Sequence, residues 1–321
     1  MQFVKGVEEF FHLKNMKPKV SIVIPTYKRP HLIGRAIRSV FSQTYQNFEI
    51  VIIDDSPNDE TEKAVKNFDD KRIKYVRNKI KRGYSGARNQ GVEKSSSDSK
   101  YIAFLDDDDE YFPLFLEKTI KELEDNNNIV IVNTAAILKN QNGKIIKKIS
   151  CGTSKFWGSA IGNGSVIRKE IFNKENIWYD EKMLFEDLDF GIRVLKKHKG
   201  KCLPEILRIY YGYPVVIGES LSTSFAHHIS SEELEYFYEK NYQIYKEAGK
   251  KAVAWLHFIT GKTFCRARQI KKGREYLLKA FKSYPIPQYF FYYLLALFYP
   301  KSFQNLSFII LKHKIKGWLK L

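Results

Sequence analysis

The segment Tyr101-Ile-Ala-Phe-Leu-Asp-Asp-Asp-Asp-Glu110 constrains this chain more than any other, because an unbroken apolar run ends abruptly in four consecutive aspartates. A run without alternation fits a strand covered on both faces, as in a parallel sheet flanked by helices. Ligands of such sheets bind beyond the carboxyl ends of the strands. Four aspartates at one strand end repel one another, so a compact fold holds them best around a cation, and hard divalent ions take oxygen ligands. A solvated acidic turn is the plainer reading of the same run. The rest of the chain decides between them.

Val20-Ser-Ile-Val-Ile-Pro25 reads as a first buried strand, followed by a helix with Leu32, Ile33, Ala36, Ile37 and Val40 on one face. Phe48 to Asp55 is a second strand that again ends in paired acids, before a helix from about 60 to 68. A third short strand, Ile73 to Val76, leads into a basic, glycine-bearing segment from Lys79 to Asn89. A helix starting near Ser85 would point its N-terminus at an anion, or the segment is an ordinary basic loop and helix start. A helix from about 114 to 125 follows the aspartates. This alternation predicts a doubly wound α/β sheet.

The pattern then changes. Residues 129–138 and 144–149 read as a hairpin around Asn140-Gln-Asn-Gly143, and 165–168 as a short strand. Phe185 to Leu195 reads as a helix whose first-turn acids Glu186, Asp187 and Asp189 complement its dipole, and 201–211 as a strand before a loop to about 230. From Ser231 the chain reads as helical, over roughly 231–248, 250–268 and 271–284. The apolar stretch 286–299 falls short of the about 20 residues that a membrane span needs. Near the end, Phe308, Leu311, Ile315, Trp318 and Leu319 share one helical face ringed by lysines, the pattern of an interfacial helix on an anionic membrane. The division expected is a leader over 1–18, an α/β domain over 19–228 and a basic helical region over 229–321.

A net charge of +18 suggests nucleic acid at first sight. However, residues 248–321 hold 15 Lys and Arg against the single acid Glu275, a net +14, which leaves +4 for the other 247 residues. The positive charge belongs to the tail. Nucleic-acid binding by that tail is a competing reading, opposed by the acidic sheet edge and by the lack of a nucleic-acid module. The three cysteines, Cys151, Cys202 and Cys265, lie far apart without a Cys-x-x-Cys pair, and are expected as reduced thiols of a cytoplasmic protein. The first twenty residues lack the apolar core of a secretory signal.

Taken together, Val20-Ser-Ile-Val-Ile-Pro-Thr-Tyr-Lys-Arg29, Ala36 to Tyr45, Glu49 to Asp55, Gly86-Ala-Arg-Asn-Gln-Gly91, Phe104 to Asp109 and Phe185-Glu-Asp-Leu-Asp-Phe190 resemble the family 2 glycosyltransferases over about residues 19–215. The resemblance implies the GT-A fold, a nucleotide-diphosphate sugar donor, Mg²⁺ or Mn²⁺, and inversion at the anomeric carbon. By the same resemblance Pro25, Tyr27, Asp54 and Asp55 hold the nucleoside, and Asp106 and Asp107 the donor. Asp108 is the metal ligand, with Asp109 assisting, and Asp187 the catalytic base. Arg88 matches a basic residue near the nucleotide, or pairs with one of the aspartates.

Three departures stand out. Asp55-Ser-Pro-Asn-Asp59 replaces the family's Asp-Gly-Ser-Thr-Asp run, and Tyr210-Tyr-Gly-Tyr-Pro214 stands where a Tyr-Arg-x-His segment is common, so His227 and His228 read as a surface pair sooner than as a pair near the pyrophosphate. The Gln-x-x-Arg-Trp motif of processive synthases is missing, so a single addition is expected. Trp157, Gly162, Asn163 and Gly164 fall where the family places acceptor-side loops. The expectation is an enzyme adding one sugar, from UDP-sugar, to a lipid-linked or surface glycan, peripheral on the inner face of the cell membrane. The alternative is a protein or soluble acceptor, with the basic tail against a partner.

Overall fold

The computed structural model describes residues 19–140, 142–151, 164–183, 185–211 and 230–300. The leader, Trp157, Gly162, Asn163, the two histidines at 227 and 228, and the apolar face of 308–319 lie outside the described residues. The chain divides into two compact units, Met1–Glu181 with Phe185–Gly212, and Lys182–Leu184 with Tyr213–Leu321.

The first unit is built on one sheet whose strands run in the order β3-β2-β1-β4-β8-β6-β9-β5, with β7 paired to β6. The strands are β1 (Val20–Thr26), β2 (Phe48–Asp54), β3 (Ile73–Arg77), β4 (Tyr101–Phe104), β5 (Glu110–Tyr111), β6 (Ile129–Lys139), β7 (Ile145–Ile149), β8 (Ser165–Arg168) and β9 (Lys199–Tyr211). β1 pairs in parallel with β2 and β4, as does β2 with β3 and β6 with β9. β8 is antiparallel to both β4 and β6. β4 and β6 therefore run the same way, and most of the sheet is parallel in sense.

Both faces are covered, which is why the strand sequences are apolar without alternation. Val20, Ile22 and Ile24 of β1 and Ile50 and Ile52 of β2 pack under helices α1 (Pro30–Phe41), α2 (Glu60–Lys66) and α4 (Phe115–Asp125). Val23, Val51 and Ile53, which point the other way, pack under α3 (Gly83–Lys94), α5 (Glu170–Asn173) and α6 (Glu186–Lys197). Gly91 lets α3 lie close on β1, because a β-carbon there would collide with the side chain of Val23.

Two expectations need correcting. Glu110, read only as the end of an acidic run, forms β5 together with Tyr111, and the two pair with Ile209 and Arg208 of β9. Cys151 and Cys202 are not separate thiols: they are joined as a disulfide across a Cα–Cα distance of 5.8 Å. β7 and β9 both pair with β6, so 51 residues of sequence separation close to a short distance across the sheet. Cys265 is a buried free thiol.

The second unit is helical: α7 (Ser231–Glu247), α8 (Lys250–Arg266), α9 (Ile270–Ser283) and α10 (Pro287–Phe298). Ser230 and Glu233 form a reciprocal cap that starts α7. Gly261 and Gly273 face each other where α8 meets α9, and a β-carbon on Gly261 would stand 2.8 Å from the Gly273 carbonyl oxygen. Among the described residues no helix is long and apolar enough to cross a membrane.

Candidate active site

β1 and β2 end in register at Thr26 and Asp54, and the chain leaving β4 brings the four aspartates to the same edge. Asp54 is fully buried and accepts hydrogen bonds from the Tyr75 hydroxyl at 2.6 Å and the Ser56 N–H at 2.8 Å. Asp55 accepts from the Asn78 amide at 2.8 Å and from the N–H groups of Arg82 and Gly83 at 3.0 and 2.8 Å. The start of α3, expected to face an anion, thus receives the carboxylate of Asp55. The Tyr27 ring is exposed, with the Lys81 and Lys28 ammonium groups 4.2 and 5.2 Å from its centroid. Pro25 sits in β1 opposite Ile53.

The aspartates fan apart. Asp107 turns inward, where it accepts from the Thr26 hydroxyl at 2.6 Å and pairs with Arg29 at 2.6 Å, and burial pushes its carboxyl up to about 7. Asp106, Asp108 and Asp109 place carboxylate oxygens within 4.8 Å of one another. Burial and then the charge of Asp106 raise the Asp108 carboxyl above its ordinary range, while Arg29, at 2.8 Å from Asp108, pulls it back. Asp109 also accepts the Tyr211 N–H at 3.0 Å, which ties the run to β9. Three crowded oxygen ligands, one with its ionised form disfavoured, suit Mg²⁺ or Mn²⁺. The residues present fit such an ion.

Arg88 on α3 links this cluster to α6. It is 2% exposed, and its Nη2 donates to Asp106 at 3.2 Å while Nη1 donates to Asp187 at 2.8 Å and Glu186 at 3.1 Å. Burial alone would lower its pKa, but Asp187 and Asp106 hold the guanidinium firmly charged. The reading of Arg88 as an ion-pair partner is therefore the one the structure realises. Burial and then Asp187 push Glu186 up to about 7. The capping residue of α6 is Phe185, which makes no side-chain cap, and Asp189 pairs with Arg193 at 2.6 Å. Of the three first-turn acids, Glu186 and Asp187 meet Arg88.

Gly164 stands beside β4 with its N–H 2.8 Å from the Phe104 carbonyl and φ at +78°. A β-carbon there would strike the guanidinium of Arg208, which is buried and donates to the Thr134 hydroxyl at 3.1 Å and carbonyl at 2.6 Å. Arg29, Arg35 and Arg208 went unmarked in the sequence. Arg35 donates to the Asp108 carbonyl, and its guanidinium lies 3.6 Å from the Tyr211 ring centroid. The available signal was a cationic residue just after a strand, within a helix facing the acidic edge, or inside an apolar strand.

A curled mixed sheet with an acidic cluster at the carboxyl ends of its strands, followed by helices, is the GT-A fold of glycosyltransferases. The chain belongs to the glycosyl transferase family 2, whose family model matches residues 21–184, just over half of its length. Glu186 and Asp187 lie just beyond the matched residues. Similar proteins include an uncharacterized glycosyltransferase of Rickettsia bellii, 39% identical over 136 residues, 42% of this chain and 19% of that protein. A GalNAc(5)-diNAcBac-PP-undecaprenol beta-1,3-glucosyltransferase of Campylobacter jejuni is 30% identical over 60% of this chain and 64% of its own length. A UDP-Glc:alpha-D-GlcNAc-diphosphoundecaprenol beta-1,3-glucosyltransferase of Escherichia coli is 38% identical over 37% of this chain and 49% of its own. In each case the chain spans less than two thirds of the relative. Among solved structures, S. aureus TarS 1-349 with UDP-GlcNAc superposes with a TM-score of 0.55 at 16% identity, over 90% of this chain and 82% of that one. A mannosyltransferase of Pyrobaculum calidifontis with GDP-Man and Mn²⁺ gives 0.53 at 14% identity, over 98% and 95%.

Proposed function

We propose that this glycosyltransferase is metal-dependent and inverting, and that it moves one sugar from a UDP-sugar to a lipid-linked glycan at the inner face of the cell membrane. The observation that carries the reading is the Arg88 bridge, which sets Asp187 beside the Asp106, Asp108 and Asp109 cluster. The undecaprenol-linked substrates in the names of the Campylobacter and Escherichia relatives support the acceptor class, and the UDP-GlcNAc complex of TarS supports the donor.

In this reading the nucleoside lies at the ends of β1 and β2 against Pro25, Tyr27, Asp54 and Asp55. Asp106, Asp108 and Asp109 would hold Mg²⁺ or Mn²⁺, and such an ion neutralises charge on a departing nucleoside diphosphate. Asp107 acts through Arg29, which it shares with Asp108. Asp187 accepts the proton of the acceptor hydroxyl as that oxygen bonds to the anomeric carbon and the bond to the diphosphate breaks on the opposite face. The sugar is inverted, and the proton ends on Asp187. Arg88 holds the Asp187 carboxylate in place.

A thermal-shift screen of UDP-, GDP- and dTDP-sugars with and without Mn²⁺ tests the donor, because a bound ligand stabilises by mass action. The expected result is a shift with a UDP-sugar that grows with Mn²⁺ and loses its Mn²⁺-dependent part in Asp108→Ala. Metal-stimulated transfer surviving in Asp108→Ala would sink the assignment.

A further inference from the structure

The helical unit carries an apolar surface that the transfer chemistry does not use. None of the twelve residues of α10 is charged. Tyr289, Tyr292 and Ala296 face inward onto Phe258, Leu277 and Ala280. On the other side Phe290, Leu297 and Phe298 are 42%, 38% and 66% exposed, with Leu294 half-buried between them. These positions are i, i+4, i+7 and i+8, one continuous stripe of a helix. Tyr299, 67% exposed, prolongs it. Single exposed apolar residues are ordinary, whereas a contiguous stripe marks a contact surface.

The charge of the helical unit selects the partner. Residues 248–300 hold ten Lys and Arg against Glu275 alone. Lys282 is exposed and follows Phe281, whose ring packs 5.0 Å from that of Phe290. Elsewhere on this unit Arg266 and Lys279 are exposed. A second copy of this unit would bring an equally basic surface and be repelled. An anionic bilayer offers what the stripe and its basic unit lack, because aromatic rings settle at the headgroup boundary while lysines meet lipid phosphates.

We propose that α10 seats the protein on an anionic lipid surface through Phe290, Leu297, Phe298 and Tyr299. A helix of this length is about 18 Å long, too short to span, so it lies in the interface. The inference rests on the lipid-linked acceptor reading and names the surface that brings the enzyme to that acceptor.

The test is flotation of the full-length protein with vesicles of equal parts phosphatidylcholine and phosphatidylglycerol, and with phosphatidylcholine alone. It compares the native chain with the triple variant Phe290→Gln, Leu297→Gln, Phe298→Gln. The native chain should float with the anionic vesicles, and the triple variant should partition at least about tenfold less, at unchanged melting temperature and nucleotide affinity. Lys279→Gln with Lys282→Gln should weaken binding to anionic vesicles and leave the weak binding to neutral ones alone. Equal flotation of native and triple variant would place the seat elsewhere and overturn the inference. So would a native chain that binds no vesicles but forms a dimer that the triple variant loses. Transfer to a detergent-dispersed undecaprenyl-diphosphate glycan is measured separately. Its persistence alongside failed flotation overturns α10 alone, and its failure overturns the acceptor reading.

Discussion

The guanidinium of Arg88 stands 2.8 Å from the carboxylate of Asp187 and 3.2 Å from that of Asp106, so one buried side chain joins the first turn of α6 to the acidic run that follows β4. Removing one partner of a buried ion pair costs about 3–5 kcal/mol, because the others are left uncompensated. Arg88→Ala is therefore expected to lose stability on that scale in urea unfolding. Arg88→Lys keeps the charge but not the fork that reaches both sides. It should stay folded and bind nucleotide while transfer falls at least about tenfold. Transfer by Arg88→Lys at the native rate would reduce the bridge to a structural part.

Asp187 and Glu186 are adjacent acids on the same arginine, and the proposal separates them. General-base catalysis is commonly worth about 10²–10⁴-fold in rate. Asp187→Asn should lose at least about a hundredfold in transfer while staying folded and keeping its nucleotide affinity, with a lowered melting temperature because Arg88 gives up its nearest charged partner. Glu186→Gln should be milder. Equal losses in a steady-state assay would mean that the base has been placed on the wrong residue.

Glu186 also predicts a pH dependence of stability. Its folded pKa of about 7 lies above the ordinary 4.5, so the folded state holds the proton more tightly. Such a group costs stability as pH rises past its unfolded value, and the cost is complete above the folded one. Because the side chain is 22% exposed, solvent trims the effect to about 1–3 kcal/mol. In EDTA, the melting temperature of Glu186→Gln relative to the native protein should rise between about pH 5 and about pH 8. A difference that is flat or falls with pH would contradict this.

Gly91 supports Arg88 indirectly by letting α3 approach β1. Gly91→Ala sets a methyl group against Val23, and overpacking of this kind costs about 1–3 kcal/mol. Combining it with Val23→Ala should recover part of that loss, a favourable coupling that a double-mutant cycle in urea would measure. Strict additivity would show that helix and strand can part without cost.

Much of this was legible in the sequence, and for physical reasons. β1, β2 and β4 are sealed on both faces, so their residues are apolar without a break and their acids fall at the ends. The segments that gave α1, α4 and α6 show one apolar side, and their starts fell within a few residues of those expected. Arg29 and Arg208 were invisible because an arginine announces a charge but not what it meets. Cys151 and Cys202 misled because distance along the chain says nothing about distance across β6. β5 escaped because two residues carry no period. The ion pair of Arg88 was foreseen only as one of two possibilities, because Asp106 and Asp187 are brought together by the fold alone.

β8 has a consequence for how the two halves of the sheet are aligned. Val166 and Ile167 are each hydrogen-bonded neighbours of β4 on one side and β6 on the other, and they point into opposite cores. A slip by one residue would exchange the two and bury each against the wrong face. The strand therefore acts as a ruler with a single valid setting. Gly164, one residue before it, is held at a fixed step from Phe104 and so from the aspartates that follow. Sequence change beyond Lys139 can remodel the far half of the enzyme, and the distance from that half to the carboxylates will be kept as long as four residues keep their place.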